Sequence, residues 1–164
     1  MNLVLIGMPG CGKSTIGVLL AKSMLCEFVD TDLIIQNKHK KSLCEIISED
    51  GLENFKETEN EVLSEINCEN CVIATGGSAV YCDEGMKNLK KNGKIVYLKL
   101  SPEEIKKRIK NIRTRGIAMK EGTTIEELYL ERAPLYEKYA DYIVECENLT
   151  AEECVEKIID IIHK

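Results

Sequence analysis

Short apolar runs alternate with amphipathic stretches along the whole chain. The runs at 2–6, 27–29, 71–75, 94–100 and 141–145 are the candidate strands. Between them apolar residues recur every three or four positions, predicting helices over 13–25, 32–38, 42–67, 83–92, 102–111, 124–139 and 150–163. Gly51 interrupts the 42–67 pattern. Ser42 with Glu45, Ser101-Pro102 with Glu104, and Thr150 with Glu153 carry the signature of helix N-termini. The strands are mostly apolar and do not alternate, as in a parallel sheet covered on both faces. Strand–helix alternation in this order predicts an α/β protein with right-handed crossovers, whose ligands sit beyond the carboxyl ends of the strands.

The first strand runs into Gly7-Met8-Pro9-Gly10-Cys11-Gly12-Lys13-Ser14, a full match to G-x-x-x-x-G-K-[ST], and a helical pattern follows. Strand, glycine loop and helix in succession form a phosphate cradle, because successive N–H groups turn inward where side chains are absent. Gly10, Cys11, Gly12, Lys13, Ser14 and Thr15 are therefore the expected nucleotide-binding residues. Lys13 is expected to be exposed toward the β/γ-phosphates, with the Ser14 hydroxyl on Mg²⁺. The expected cofactors are ATP and Mg²⁺.

At 164 residues the chain fits one domain. Its balance is acidic, 28 Asp and Glu against 22 Lys and Arg, with no basic cluster interleaved with aromatics, which argues against a nucleic-acid partner. No apolar run approaches the roughly 20 residues of a membrane span, and the first strand leads straight into the phosphate loop. The expectation is a cytoplasmic monomer. Eight cysteines then remain thiols in a reducing compartment. Cys68-Glu69-Asn70-Cys71 has the spacing of half a zinc site or of a redox pair, but no second pair completes it, and His39 and His163 lie far away in sequence.

Further candidates stand at strand ends. Asp30-Thr31-Asp32 follows the second strand; two carboxylates there can serve a metal shell and accept substrate hydroxyls, whereas a helix cap needs only one. Thr75-Gly76-Gly77-Ser78 follows the third, where paired glycines permit close approach to a ligand. Leu52, Phe55, Val62, Leu63 and Ile66 form a core stripe, and Glu59 falls on it, where a carboxylate should not sit unpaired. Lys56 lies one i,i+3 step from Glu59, with Glu53 as an alternative partner.

Only four arginines, Arg108, Arg113, Arg115 and Arg132, stand against 18 lysines, so arginine marks positions that need a planar fork. Arg113 and Arg115 lie in an aperiodic, glycine-containing stretch suited to a lid over phosphates at about 112–123. Arg132 precedes Pro134, which is expected to kink its helix.

In this order the motifs resemble the shikimate kinase family over essentially the whole chain: Gly12-Lys13-Ser14-Thr15, Asp30-Thr31-Asp32, Phe55 with Glu59, Ala74-Thr75-Gly76-Gly77, Val96-Tyr97-Leu98 and Arg132-Ala133-Pro134-Leu135-Tyr136. The resemblance implies a three-layer α/β/α P-loop kinase fold with a five-stranded parallel sheet, and an acceptor-binding helical region at about 32–62. It implies Ser14 and Asp30 near Mg²⁺, Asp32 on the acceptor hydroxyls and the attacking proton, and Gly76, Gly77 and Arg132 around the shikimate ring and carboxylate. It also implies a lid arginine, Arg115, over ATP, so that Lys13, Asp32 and Arg115 form the catalytic set.

The chain departs from the family's usual pattern at Lys56 for an arginine that clamps the carboxylate, at Ser78 for a third glycine, and at Arg115-Gly116-Ile117 for Arg-Pro-Leu. The first two touch the acceptor pocket. The reading is an ATP-dependent kinase of a small hydroxylated acid, shikimate first. A kinase of another small metabolite and a nucleotide-dependent switch are the alternatives.

Overall fold

The computed structural model describes residues 1–109 and 116–164. Five strands, β1 (Asn2–Ile6), β2 (Glu27–Asp30), β3 (Cys71–Ala74), β4 (Gly93–Lys99) and β5 (Tyr142–Glu145), form one sheet in the order β2-β3-β1-β4-β5. Every pairing is parallel, with Val4 facing Ile73 on one side and Ile95 on the other. The helices are α1 (Lys13–Met24), α2 (Thr31–His39), α3 (Leu43–Asp50), α4 (Leu52–Glu65), α5 (Asp83–Asn92), α6 (Pro102–Arg108), α7 (Ile125–Tyr139) and α8 (Ala151–Ile162), with a 3-10 turn at Ala79–Tyr81. The strand order reverses around β1, so the loops after β1 and β3 open into one crevice.

Element boundaries follow the periodicity to within a few residues. The 42–67 pattern divides at Gly51, whose φ of +84° ends α3 and starts α4. Capping boxes start α3 at Ser42 and α8 at Thr150, and Ser101 accepts from the Glu104 amide at α6. A further box, Thr124 with Glu127, starts α7. Helix α7 continues through Pro134 to Tyr139, so the proline does not end it; the chain beyond Ile109 in the 102–111 pattern lies outside the described residues. Strand β3 stops one residue early. Thr75 leaves the ladder, but both its N–H and its Oγ1 donate to Leu5 O, at 3.2 and 2.9 Å.

The main core wraps the sheet, with β1 buried along its whole length. A second, smaller cluster of Ile35, Ile46, Phe55, Val62 and Ala118 holds α2, α3 and α4 together at the edge of the crevice. The acceptor-side helices therefore have a core of their own, built from few residues. Ile46→Ala should destabilise the protein by about 2–4 kcal/mol, because a cluster this small has little to collapse into the gap. Urea unfolding should show the midpoint falling with an unchanged slope.

Candidate active site

The first turn of α1 has no side-chain cap; its N-cap is Gly12, with φ +95°. Its amides are thus left to whatever anion the loop receives. Lys13 is not exposed as the sequence suggested. It is buried, and its Nζ donates to Gly7 O at 2.7 Å and Met8 O at 2.9 Å, with Cys11 Sγ at 3.6 Å. A buried ammonium needs acceptors, and the loop's own carbonyls are within reach. Cys11 is fully buried and fills the space behind the loop.

Asp30 and Asp32 divide their duties. Asp30 Oδ1 accepts the Asp32 and Leu33 amides at 3.0 and 3.4 Å and caps α2, while Oδ2 accepts the Ser14 hydroxyl at 2.7 Å. Asp32 is left over from capping and lines the cavity. Burial, then the Asp30 charge, push its carboxyl up to about 6, against the pull of Lys13.

That cavity measures about 540 Å³ and joins the phosphate loop to the loop after β3. Gly10, Gly12, Lys13, Ser14, Thr15, Asp32, Gly76, Gly77 and Arg132 all line it. Close approach requires the two glycines. A Cβ at Gly76 would lie 2.7 Å from Glu59 Oε2 and 2.8 Å from Asp32 Oδ1; one at Gly77 would strike Pro9 and come within 3.1 Å of Arg132 Nη1. Tyr136, packed on Tyr97 at 5.1 Å, donates to Gly77 O at 2.5 Å and holds that loop down.

Arg132 is 1 % exposed. Its Nη2 donates to Ala118 O and its Nε to the Tyr81 hydroxyl at 3.4 Å, whereas Nη1 has no partner among the described residues. A guanidinium arm buried and unpaired is costly unless a ligand meets it.

Lys56 is set apart from the others. Its Nζ lies 4.8 Å from the Tyr81 ring centre, in a smaller neighbouring cavity of about 100 Å³ that shares Ala118 and Arg132 with the large one. Arg113 and Arg115 lie outside the described residues. Of the expected lid, Gly116, Ile117 and Ala118 wall the cavity, with Gly116 tight against the start of α3.

Glu59 and Arg108, noted in the sequence but given no site role there, also line the cavity. Glu59 is wholly buried: Oε1 accepts the Ser78 hydroxyl at 2.5 Å, with the Cys82 thiol at 3.9 Å, and Oε2 has no partner among the described residues. Burial, with help from Asp32, pushes its carboxyl up to about 7, against the Ser78 hydrogen bond and Arg132. Its place on an apolar stripe was the available signal. Arg108 reaches the loop from α6, held by Glu104 at 3.1 Å; the rarity of arginine marked it in the sequence, without saying which site it serves.

The cysteine pair Cys68–Cys71 sits at the opposite ends of the strands, and burial pushes the Cys71 thiol up to about 12. Among the described residues no three His, Cys, Asp or Glu side chains gather where they could hold a metal. No helix among them is long and apolar enough to cross a membrane.

A carboxyl whose folded pKa is raised binds protons in the native state that the unfolded chain has released. Glu59 should therefore make the native protein less stable as pH rises from its unfolded pKa, about 4.3, to about 7. Glu59→Gln should flatten that decline, which amounts to roughly 3 kcal/mol, measured by denaturant titrations across the range.

The comparisons with known proteins point one way. The family model described as Shikimate kinase matches residues 9–163. The chain is 42% identical to a Shikimate kinase of Thermodesulfovibrio yellowstonii over 96% of this chain and 92% of that one. It is 39% identical to a Shikimate kinase of Francisella tularensis subsp. holarctica, with the same coverage. Among solved structures it resembles the shikimate kinase of Acinetobacter baumannii in complex with shikimate, with a TM-score of 0.92 and 31% identity, covering 99% of this chain and 92% of that one. Phosphate loop, paired carboxyls, glycine pair and buried arginine thus stand in a fold and sequence context shared end to end, and the chain belongs to the shikimate kinase family.

Proposed function

We propose that this protein transfers the γ-phosphoryl group of ATP to a ring hydroxyl of shikimate, giving shikimate 3-phosphate and ADP, within the biosynthesis of aromatic amino acids. The observation that carries this reading is Arg132 Nη1, a buried fork arm without a partner among the described residues, in the cavity that also holds the phosphate loop. It supplies a receptor for a carboxylate, and Asp32 supplies one for hydroxyls, at opposite edges of Gly76-Gly77.

The bare first turn of α1 and the loop amides from Gly10 to Thr15 hold the ATP phosphates. Lys13 leaves the carbonyls of Gly7 and Met8 for the transferring group, which it meets as a fixed positive charge. Asp32 lies close enough to neutrality in pKa to accept the hydroxyl proton while still ionised at neutral pH. The Ser14 hydroxyl and Asp30 Oδ2, 2.7 Å apart, are hard oxygen donors of the kind Mg²⁺ takes when phosphate and water complete its shell. When bound there, Mg²⁺ offsets charge on the β- and γ-phosphates. Arg115 is assigned to ATP from the lid, and Lys56 to the carboxylate end of the acceptor beside Tyr81. The protein acts as a cytoplasmic monomer in this reading.

The placement of Lys56 in the smaller neighbouring cavity, and not among the lining of the large one, favours one second reading, a different small hydroxylated acid as acceptor. ADP release across shikimate, other hydroxy acids and nucleoside monophosphates separates the two. Shikimate is expected to give the highest kcat/KM; a clear preference for any other acceptor overturns the assignment. On the best acceptor Lys13→Met should lower kcat by roughly a thousandfold. It should also lower the melting temperature, since two buried carbonyls lose their donor at a cost of about 1–3 kcal/mol.

A further inference from the structure

Glu59 and Arg132 pose a problem together. Both are buried and both line the same cavity; Glu59 Oε2 and Arg132 Nη1 each lack a partner among the described residues. They bracket adjacent glycines: Oε2 stands 2.7 Å from a Cβ built on Gly76, and Nη1 stands 3.1 Å from one built on Gly77. Opposite charges so placed should close on each other, because an ion pair would satisfy both orphan groups at once. Among the described residues Arg132 has no such ion pair. Its Nη2 donates to Ala118 O and its Nε to the Tyr81 hydroxyl. On the Glu59 side the restraint among the described residues is the neutral Ser78 hydroxyl on Oε1 at 2.5 Å, supported by the Cys82 thiol at 3.9 Å. Lys56, one turn back on α4, supplies no restraint, because its ammonium lies over Tyr81.

We propose that Ser78 is a positioning residue for the acceptor: its hydroxyl holds the Glu59 carboxyl away from Arg132 and so keeps Nη1 open to the carboxylate of the incoming acid. Ser78 is itself buried, in the one-turn segment that follows Gly77, so its backbone is fixed by the same loop that carries the glycines. Without the hydroxyl, Glu59 retains among the described residues only a weak thiol donor, and the open arm of Arg132 becomes its best partner there. The acceptor acid must then displace an internal carboxylate before it can bind. The groups facing Glu59 are Ser78, Cys82, Asp32 and Arg132. Of these only Arg132 carries positive charge.

The proposal rests on shikimate, or an acid like it, being the acceptor, and the test separates the two claims. Ser78→Ala, with Ser78→Gly as a second variant should alanine fold poorly, is compared with the native protein by calorimetric binding of shikimate and by steady-state kinetics. The expected result is a rise of about tenfold in Kd and KM for the acid, larger than any fall in kcat, with KM for ATP unchanged. In a Glu59→Gln background the same Ser78 change should have little effect, since no carboxylate remains to be restrained. An independent readout is the Glu59 side-chain carbon followed by NMR through a pH titration. Loss of the Ser78 donor alone would raise the Glu59 pKa, whereas capture by Arg132 favours the charged form and lowers it. A fall is expected. A rise, or an unaltered shikimate Kd, overturns the proposal. Failure of the native protein to bind shikimate would overturn the acceptor assignment instead, and the NMR titration would still decide what Ser78 does.

Discussion

The loop after β3 comes almost into contact with the loop after β1, and the site depends on that approach. Thr75 donates twice to Leu5 O, which pins the end of β3 against β1 just where the ladder stops. Gly76 and Gly77 then pass between Pro9 on one side and Glu59, Asp32 and Arg132 on the other, with no room for a Cβ at either position. Tyr136 fastens Gly77 from behind. The closeness places the groups proposed to read an acid beside those proposed to hold a phosphate. Phosphoryl transfer relies on positioning and on charge aimed at the transferring group, so such a meeting of two loops supplies much of what the reaction needs from a protein.

Burial is what gives the charged groups their character. Asp32 and Glu59 are both pushed upward by desolvation, to about 6 and about 7, each made worse by a neighbouring carboxyl. Arg132 lies wholly inside the protein, with one arm unused among the described residues. These arrangements are unfavourable for stability taken alone. They make sense as a receptor left incomplete until an acid with hydroxyl groups fills it. The second cluster around Ile46 and Phe55 bears the cost by keeping α4, and with it Glu59, in register with the glycines.

Sequence patterns revealed the sheet, the phosphate loop and most of the cavity lining, because these depend on local period and on a contiguous motif. The division of Asp30 and Asp32 was half visible: a helix needs one cap, and the structure shows Asp30 taking it. What stayed hidden are pairings between distant segments. Glu59 was visibly out of place on an apolar stripe, but nothing in its neighbourhood named Ser78, 19 residues away, as its donor. Lys13 could not be seen to fold back, because motif logic describes its partner when phosphate is present and is silent about its alternatives. Lys56 was read by analogy with an arginine, yet a lysine's single compact charge lies over the Tyr81 ring while the guanidinium of Arg132, centred 5.3 Å from the same ring, borders the larger cavity.

The central claim is that Arg132 Nη1 reads the acceptor's carboxylate. Its most direct test compares shikimate with its uncharged carboxamide in the native protein and in Arg132→Ala. The native enzyme should favour the acid strongly, and the variant should lose that preference by a factor on the order of 100, chiefly through KM for the acid, while the amide is affected far less. Equal losses for acid and amide, or a loss confined to kcat, would contradict it.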